Sequence, residues 1–353
     1  MPGRSPGGSF PHRFHRAEPD HGRGHPMTAS QRDGGRSGIS RATLLRGTVA
    51  AGAAIAGATV AGNAAPAAAV DLGGSPVQKI RRVYRRETRR AGGRWLSYVT
   101  LHTGEAEPVV VIDEDRDTEI RAASVNKLAM AVAVMDKVDR GDLRLDQRLE
   151  LTQADIEIDP DTSGIWHLQK VYGDRLTLAN VLVTLLVASE NSALPLIARV
   201  CPRDELNGIL AAKGFTVTRV SEHDQDPDQF FHGSTTPAEM HRLLTGLTQH
   251  TLLSAESCDF LLSIMRWTEP GYTDGIRRLM SSQERIRVAA KYGAYEDRRH
   301  EVGVIYDRDG APTLIFSLFA AELSDQANYG ATHPAVEARS VIGRAMLDAV
   351  DEL

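Results

Sequence analysis

Residues 121–156 read RAASVNKLAMAVAVMDKVDRGDLRLDQRLELTQADI, and the first half of that stretch decides the fold. From Leu128 to Val138 the run LAMAVAVMDKV is almost wholly apolar and rich in strong helix formers, with Gly141 just beyond it as a stop. A helix apolar on nearly every side is a buried one. Ser124 then stands at its N-terminal end, where free N–H groups and the positive dipole end favour a developing anion. Lys127 follows one turn later on the same face, so its amine can take the serine proton, and partial desolvation favours its neutral form.

Two further strings lie downstream in an order that fits the first. Ser189-Glu190-Asn191 follows LTLANVLVTLLVA, a second dense apolar run, so Ser189 leaves a buried helix facing the same cavity. Its hydroxyl can relay a proton to a leaving group, and the Asn191 amide can hold a substrate carbonyl or the lysine. Lys291-Tyr292-Gly293-Ala294 follows RIRVAA and precedes two strands, Glu301 to Tyr306 and Pro312 to Ala321, joined at Asp309-Gly310. Lys291 on an edge strand offers a cation to a carboxylate, and Gly293 allows close backbone approach. The N–H groups of Ala294 and Ser124 together can form an oxyanion hole. Each string alone has a plainer reading: a surface serine with a solvated lysine, a capped helix end, a lysine that guards a strand edge. The ordered combination points to serine acyl transfer.

With these residues in view, the chain resembles the penicillin-recognising serine hydrolases, and class A β-lactamases more than D-alanyl-D-alanine peptidases. The resemblance runs from about Arg94 to the C-terminus. It includes the nucleophile helix and its LxLDQ-type turn, the S-D-N helix and Ser234–Met240, similar to the T-T-x-P stretch after the family's omega loop. KYGAYEDRRHEVGVIY keeps the family's distance from its K-T-G triplet to the following strand. The resemblance implies Ser124 as acylated nucleophile, Lys127 as base or relay, Ser189 as shuttle hydroxyl and Asn191 as holder of the acylamide carbonyl. It implies Lys291, with Arg299 on the neighbouring strand, as the carboxylate site.

Departures bear on the activity. Glu190 replaces the family's aspartate, and Tyr292 puts a bulky ring where a small hydroxyl side chain helps hold the substrate. Aligning Thr218-Arg219-Val220 with the family's T-R-L places Asp224 at the glutamate that activates the deacylating water and Asp228 at its asparagine. Glu222 is the nearest glutamate and takes the role if the loop is re-registered. The resemblance therefore implies a β-lactamase working through an acyl-enzyme. A D-alanyl-D-alanine peptidase, another esterase or amidase, and a slowly deacylating penicillin-binding protein stay open. Its substrate is a β-lactam or peptidoglycan-like small molecule, handled by a monomer with no cofactor and no metal.

Composition agrees with a globular enzyme. In 353 residues the net charge is −5, which gives no general attraction to nucleic acid. Residues 1 to 46 are rich in Arg, Gly, His and Ser and read as a disordered tail. Residues 47–69 form an Ala/Gly-rich apolar stretch ending in Ala67-Ala68-Ala69, read as an export signal with cleavage near Ala69, so that the mature enzyme is secreted without a lasting membrane anchor. Met27 is an alternative start, and Arg41 sits in a twin-arginine-like setting lacking its second arginine. The hydrolase domain spans 75 to 353. Cys201 and Cys258 read as two separate buried thiols. The histidines show no metal-ligand spacing, and His223 and His232 read as surface loop.

The elements sum to an α+β fold. A helix near Pro76 to Arg90 precedes strands Trp95 to Leu101 and Pro108 to Asp113. A helical block follows from Ser124 to about Met280, then further strands and a final helix near Pro334 to Val350. Strands from both chain ends build one antiparallel sheet flanked by helices, with an all-helical subdomain inserted and the site at the junction. Trp166 is either a cleft wall or a core residue.

Overall fold

The computed structural model describes residues 74–157, 164–169, 172–222, 230–267 and 274–353. The expected tail and export stretch, with Met27 and Arg41, lie outside the described residues, as do His223, Asp224 and Asp228.

The first helix, α1 (Pro76–Ala91), starts where Ser75 accepts from the Gln78 N–H and Pro76 needs no donor, and it stops at Gly92 with φ +71°. Strands β1 (Arg94–Leu101) and β2 (Val109–Glu114) follow, then short β3 (Ile120–Arg121). A tight 3-10 turn, Ala123–Asn126, leads into α2 (Lys127–Asp139). Next come β4 (Arg148–Glu150), α3 (Gln153–Glu157), α4 (Trp166–Gln169), β5 (Arg175–Thr177), α5 (Leu178–Val187), α6 (Ala193–Val200) and α7 (Arg203–Ala212). Strands β6 (Arg219–Glu222) and β7 (Phe230–Thr235) precede α8 (Pro237–Thr248), α9 (Ala255–Arg266) and α10 (Ser282–Arg285). The chain closes with β8 (Val288–Tyr295), β9 (Arg298–Tyr306), β10 (Pro312–Ala321) and α11 (Pro334–Asp351).

The main sheet has the order β2-β1-β10-β9-β8 with antiparallel pairing throughout. Arg94 pairs with Ala321 and Leu101 with Leu314, so strands from the two ends of the domain lie side by side. This is the α+β plan read from the sequence, and β8 is an edge strand as expected. Its two faces bury different partners, because successive side chains point to opposite sides. Leu314, Phe316 and Leu318 face α1 and α11 with Ile80, Tyr84, Ile342 and Leu347. Ile315 and Phe319, with Val302 and Val304, face the helical block.

α2 is the axis of that block: every residue from Leu128 to Val134 has no exposed surface. The inserted block also carries two small sheets, β4-β5 and β3-β7-β6. The second matters for the site, since β3 pairs with β7 immediately before the Ala123–Asn126 turn. Cys201 and Cys258 are both buried and unpaired, and burial pushes the Cys201 thiol up to about 12. Among the described residues no helix is long and apolar enough to cross a membrane.

Candidate active site

Ser124 sits inside the 3-10 turn rather than on α2 itself. The Lys127 N–H donates to the Ser124 carbonyl, and in a 3-10 turn side chains three apart eclipse, which sets Ser124 and Lys127 on one side. Ala123, just before the serine, has φ +46°, a conformation that non-glycine residues adopt at a cost and that clusters at functional sites. Ser124 stays partly exposed, while Lys127 is fully buried.

The Lys127 amine donates to the Ser189 carbonyl at 2.5 Å, the Asn191 Oδ1 at 2.6 Å and the Ser189 Oγ at 3.3 Å. Ser189 follows the end of α5 with φ +56°, and that left-handed kink lets its carbonyl and hydroxyl both meet the amine. From the opposite side, Lys291 on β8 donates to the Ser189 Oγ at 3.0 Å and to the Tyr292 carbonyl at 2.8 Å, with its amine 4.3 Å from the Tyr292 ring centre. Lys291 is 1% exposed, and burial together with the Lys127 charge holds its amine well below the usual lysine range. Burial raises the Tyr292 phenol, whose hydroxyl also bonds Ser189.

The third string reaches the nucleophile through Gly293. A Cβ there would lie 2.9 Å from the Ser124 backbone nitrogen and 2.8 Å from that of Val125, so only glycine lets β8 run this close to the turn. Ala294 is the next residue on the same edge strand, partly exposed. Ser124, Lys127, Ser189, Asn191, Lys291 and Gly293 therefore meet in one place, with partly exposed hydroxyls beside buried amines.

A family model described as "Beta-lactamase enzyme family" matches residues 76–350. The chain belongs to the β-lactamase enzyme family. It is a serine β-lactamase-like hydrolase. The chain is 28% identical over 223 residues to "Beta-lactamase VEB-1" of Pseudomonas aeruginosa, a match over 59% of this chain and 72% of that protein. Among solved structures, a β-lactamase from Sphaerobacter thermophilus aligns with a TM-score of 0.63 and 22% identity over 78% of this chain and 98% of that one. The ancestral class A β-lactamase termed GNCA aligns at 0.61 and 22% identity over 78% and 100%. These likenesses establish the fold.

Within this β-lactamase-family fold several expected positions stand elsewhere. Arg299 faces away from Lys291. Lys291 pairs with Val302 and Gly293 with His300, so Arg299, one residue off in the alternation, projects from the opposite sheet face. There its guanidinium donates to the carbonyls of Glu296, Arg298, Gln326 and Asn328 and stacks over Tyr329, and it is 1% exposed. Glu222 ends β6 as an exposed side chain paired with Arg203 at 3.3 Å, outside the Lys127–Ser189 cluster. Asp224 lies outside the described residues.

Glu190 is fully buried and accepts from the N–H groups of Gly164, Trp166 and Ser192. Trp166, held by that carboxylate, joins the core of the helical block. The β-lactamase-family site also contains a group that the sequence reading assigned to a surface loop. His232 lies on β7 with its Nε2 3.3 Å from the Ser124 Oγ. The signal was there: Phe230-Phe231 are strand formers, and Thr236-Pro237 starts a helix directly after, which leaves His232 inside a strand.

Proposed function

We propose that the chain hydrolyses the β-lactam amide through an acyl-enzyme on Ser124. The observation that carries this reading is the meeting of Lys127, Ser189 and Lys291 at one hydroxyl beside the serine. Two buried amines around one oxygen repel each other, which favours one neutral amine able to accept a proton.

The Ser124 oxygen adds to the lactam carbonyl while Lys127 takes its proton. The oxyanion is met by the N–H groups of Ser124 and Ala294, with Asn191 at the acylamide carbonyl. The ring C–N bond breaks, and the nitrogen receives a proton by way of the Ser189 hydroxyl. Lys291 binds the substrate carboxylate without Arg299, whose donors are committed to backbone carbonyls. Tyr292 narrows the cleft and biases the choice of substrate. Water then releases the acid from Ser124.

The exposed position of Glu222 favours a second reading, a penicillin-binding protein that deacylates slowly. Mixing the protein with a chromogenic cephalosporin and weighing it intact separates the two. Fast colour with no lasting adduct supports a β-lactamase, and a persistent adduct supports the slow enzyme. Ser124→Ala abolishes labelling by the cephalosporin and by a fluorophosphonate; unchanged labelling rejects the serine. The 47–69 stretch supports export, checked by N-terminal sequencing of protein recovered outside the cell, which should begin near Val70.

A further inference from the structure

β7 does not run level with β6. Arg219 pairs with Ser234 and Ser221 with Phe231, so two residues of β7, His232 and Gly233, oppose the single residue Val220. Such a β-bulge re-aims a side chain out of the sheet's alternation and recurs beside active sites. Gly233 permits it: its φ is +66°, and a Cβ would fall 2.0 Å from the Arg219 carbonyl oxygen. The bulged pair is tied to the nucleophile segment on both sides of the serine. The Ala122 N–H donates to the Gly233 carbonyl at 3.0 Å, and the Asn126 amide donates to the His232 carbonyl. Those ties bracket Ser124, and the imidazole Nε2 is the group set against its hydroxyl.

The geometry points to His232 as the general base of deacylation, a catalytic residue in the role that the resembled family gives to a carboxylate. This rests on the acyl-enzyme reading of Ser124. Glu222, which takes that role if the loop is re-registered, is turned to Arg203. The step balances with water as the only co-reactant. Water oxygen bonds to the acyl carbon while Nε2 takes one of its protons. The tetrahedral intermediate then collapses, the bond from carbon to the Ser124 oxygen breaks, and the imidazolium returns the proton to that oxygen. Ser124 is restored and the product leaves as an acid that ionises in water. Burial and the amines of Lys127 and Lys291 hold His232 well below the usual histidine range, so the base is unprotonated at neutral pH.

The test compares wild type with His232→Gln, using a chromogenic cephalosporin and p-nitrophenyl acetate as acyl donors and intact mass as the readout. His232→Gln keeps a prompt acylation burst of one equivalent, which also reports a folded site, while release slows by about 10²-fold and the adduct on Ser124 accumulates. If that variant melts early, His232→Asn carries the same comparison. The proposal is overturned if the variant clears its adduct at the wild-type rate, if acylation falls as far as release, or if wild type holds the adduct equally long. Ser124→Ala run in parallel separates the premises: if it still reacts, the serine reading fails; if it is inert and His232→Gln turns over normally, only His232 is rejected.

Discussion

Lys127 and Lys291 share one acceptor, their amines lying 3.3 Å and 3.0 Å from the Ser189 hydroxyl oxygen. Both are buried, one at the start of the core helix and one on the sheet edge, so the cost of desolvating two cations falls at a single point. On the acyl-enzyme reading proposed above, one lysine is the proton acceptor and the other the anion site, which predicts separable effects for the two.

Removing the acceptor removes acylation. Lys127→Ala slows formation of the Ser124 adduct by about 10²–10⁴-fold, the usual worth of a positioned base. Stopped-flow acylation measures it, and a loss below tenfold would take Lys127 out of the proton path.

Removing the anion site trades function for stability. Lys291→Met weakens binding of carboxylate-bearing substrates, seen in KM, yet stabilises the fold by about 1–2 kcal/mol because a desolvated cation is replaced by apolar surface. The pH dependence has a definite sign. The folded-state amine titrates well below the ordinary 10.5, so between the two values the unfolded chain binds more protons and wild-type stability rises with pH. The advantage of Lys291→Met therefore shrinks as pH climbs toward 10.5. Denaturant unfolding at several pH values decides it; a constant difference would mean that Lys291 titrates normally.

Gly293 gives a test of geometry alone. In Gly293→Ala the new methyl meets two backbone nitrogens, those of Ser124 and Val125, and neither can swing aside as a side-chain tip does. A displacement of the turn near 1 Å costs about 10²-fold in turnover. A kcat within threefold of wild type would show that β8 and the turn can part without consequence.

Two acidic residues should behave in opposite ways. Glu190→Ala strands three N–H groups, those of Trp166 and Ser192 buried and that of Gly164 part-buried, and frees the Gly164–Trp166 segment, lowering stability by about 1–3 kcal/mol. Glu222→Gln, far out on β6, leaves turnover within twofold of wild type. Thermal melts with cephalosporin kinetics check the pair, and the reverse pattern would put Glu222 back in the site.

The buried helix, the edge strand and the sheet built from both chain ends were legible because composition and period reflect burial directly. Ser124, Lys127, Ser189 and Lys291 were legible for the same reason: each adjoins an element whose place is set by its apolar run. Arg299 and His232 were not, because both depend on which way a strand residue faces. The face of Arg299 is set by the register across the Glu296-Asp297 turn, where a slip of one residue reverses every side chain. That of His232 is set by the bulge, one positive φ at Gly233 that no alternation pattern encodes. Glu190 reads as a mild substitution in the sequence, and only the loop folded over it shows why a buried carboxylate is kept there.

The pairing of Arg94–Leu101 with Pro312–Ala321 also has a kinetic side. β1 can pair with β2 at once, but its other edge has no partner until β10, the last strand of the sheet, has been made, and contacts so distant along the polypeptide close late and slowly. Its apolar face waits uncovered meanwhile, so maturation of this enzyme is a race between ring closure of the whole chain and self-association, and losing β10 would disable the catalyst as surely as losing Ser124.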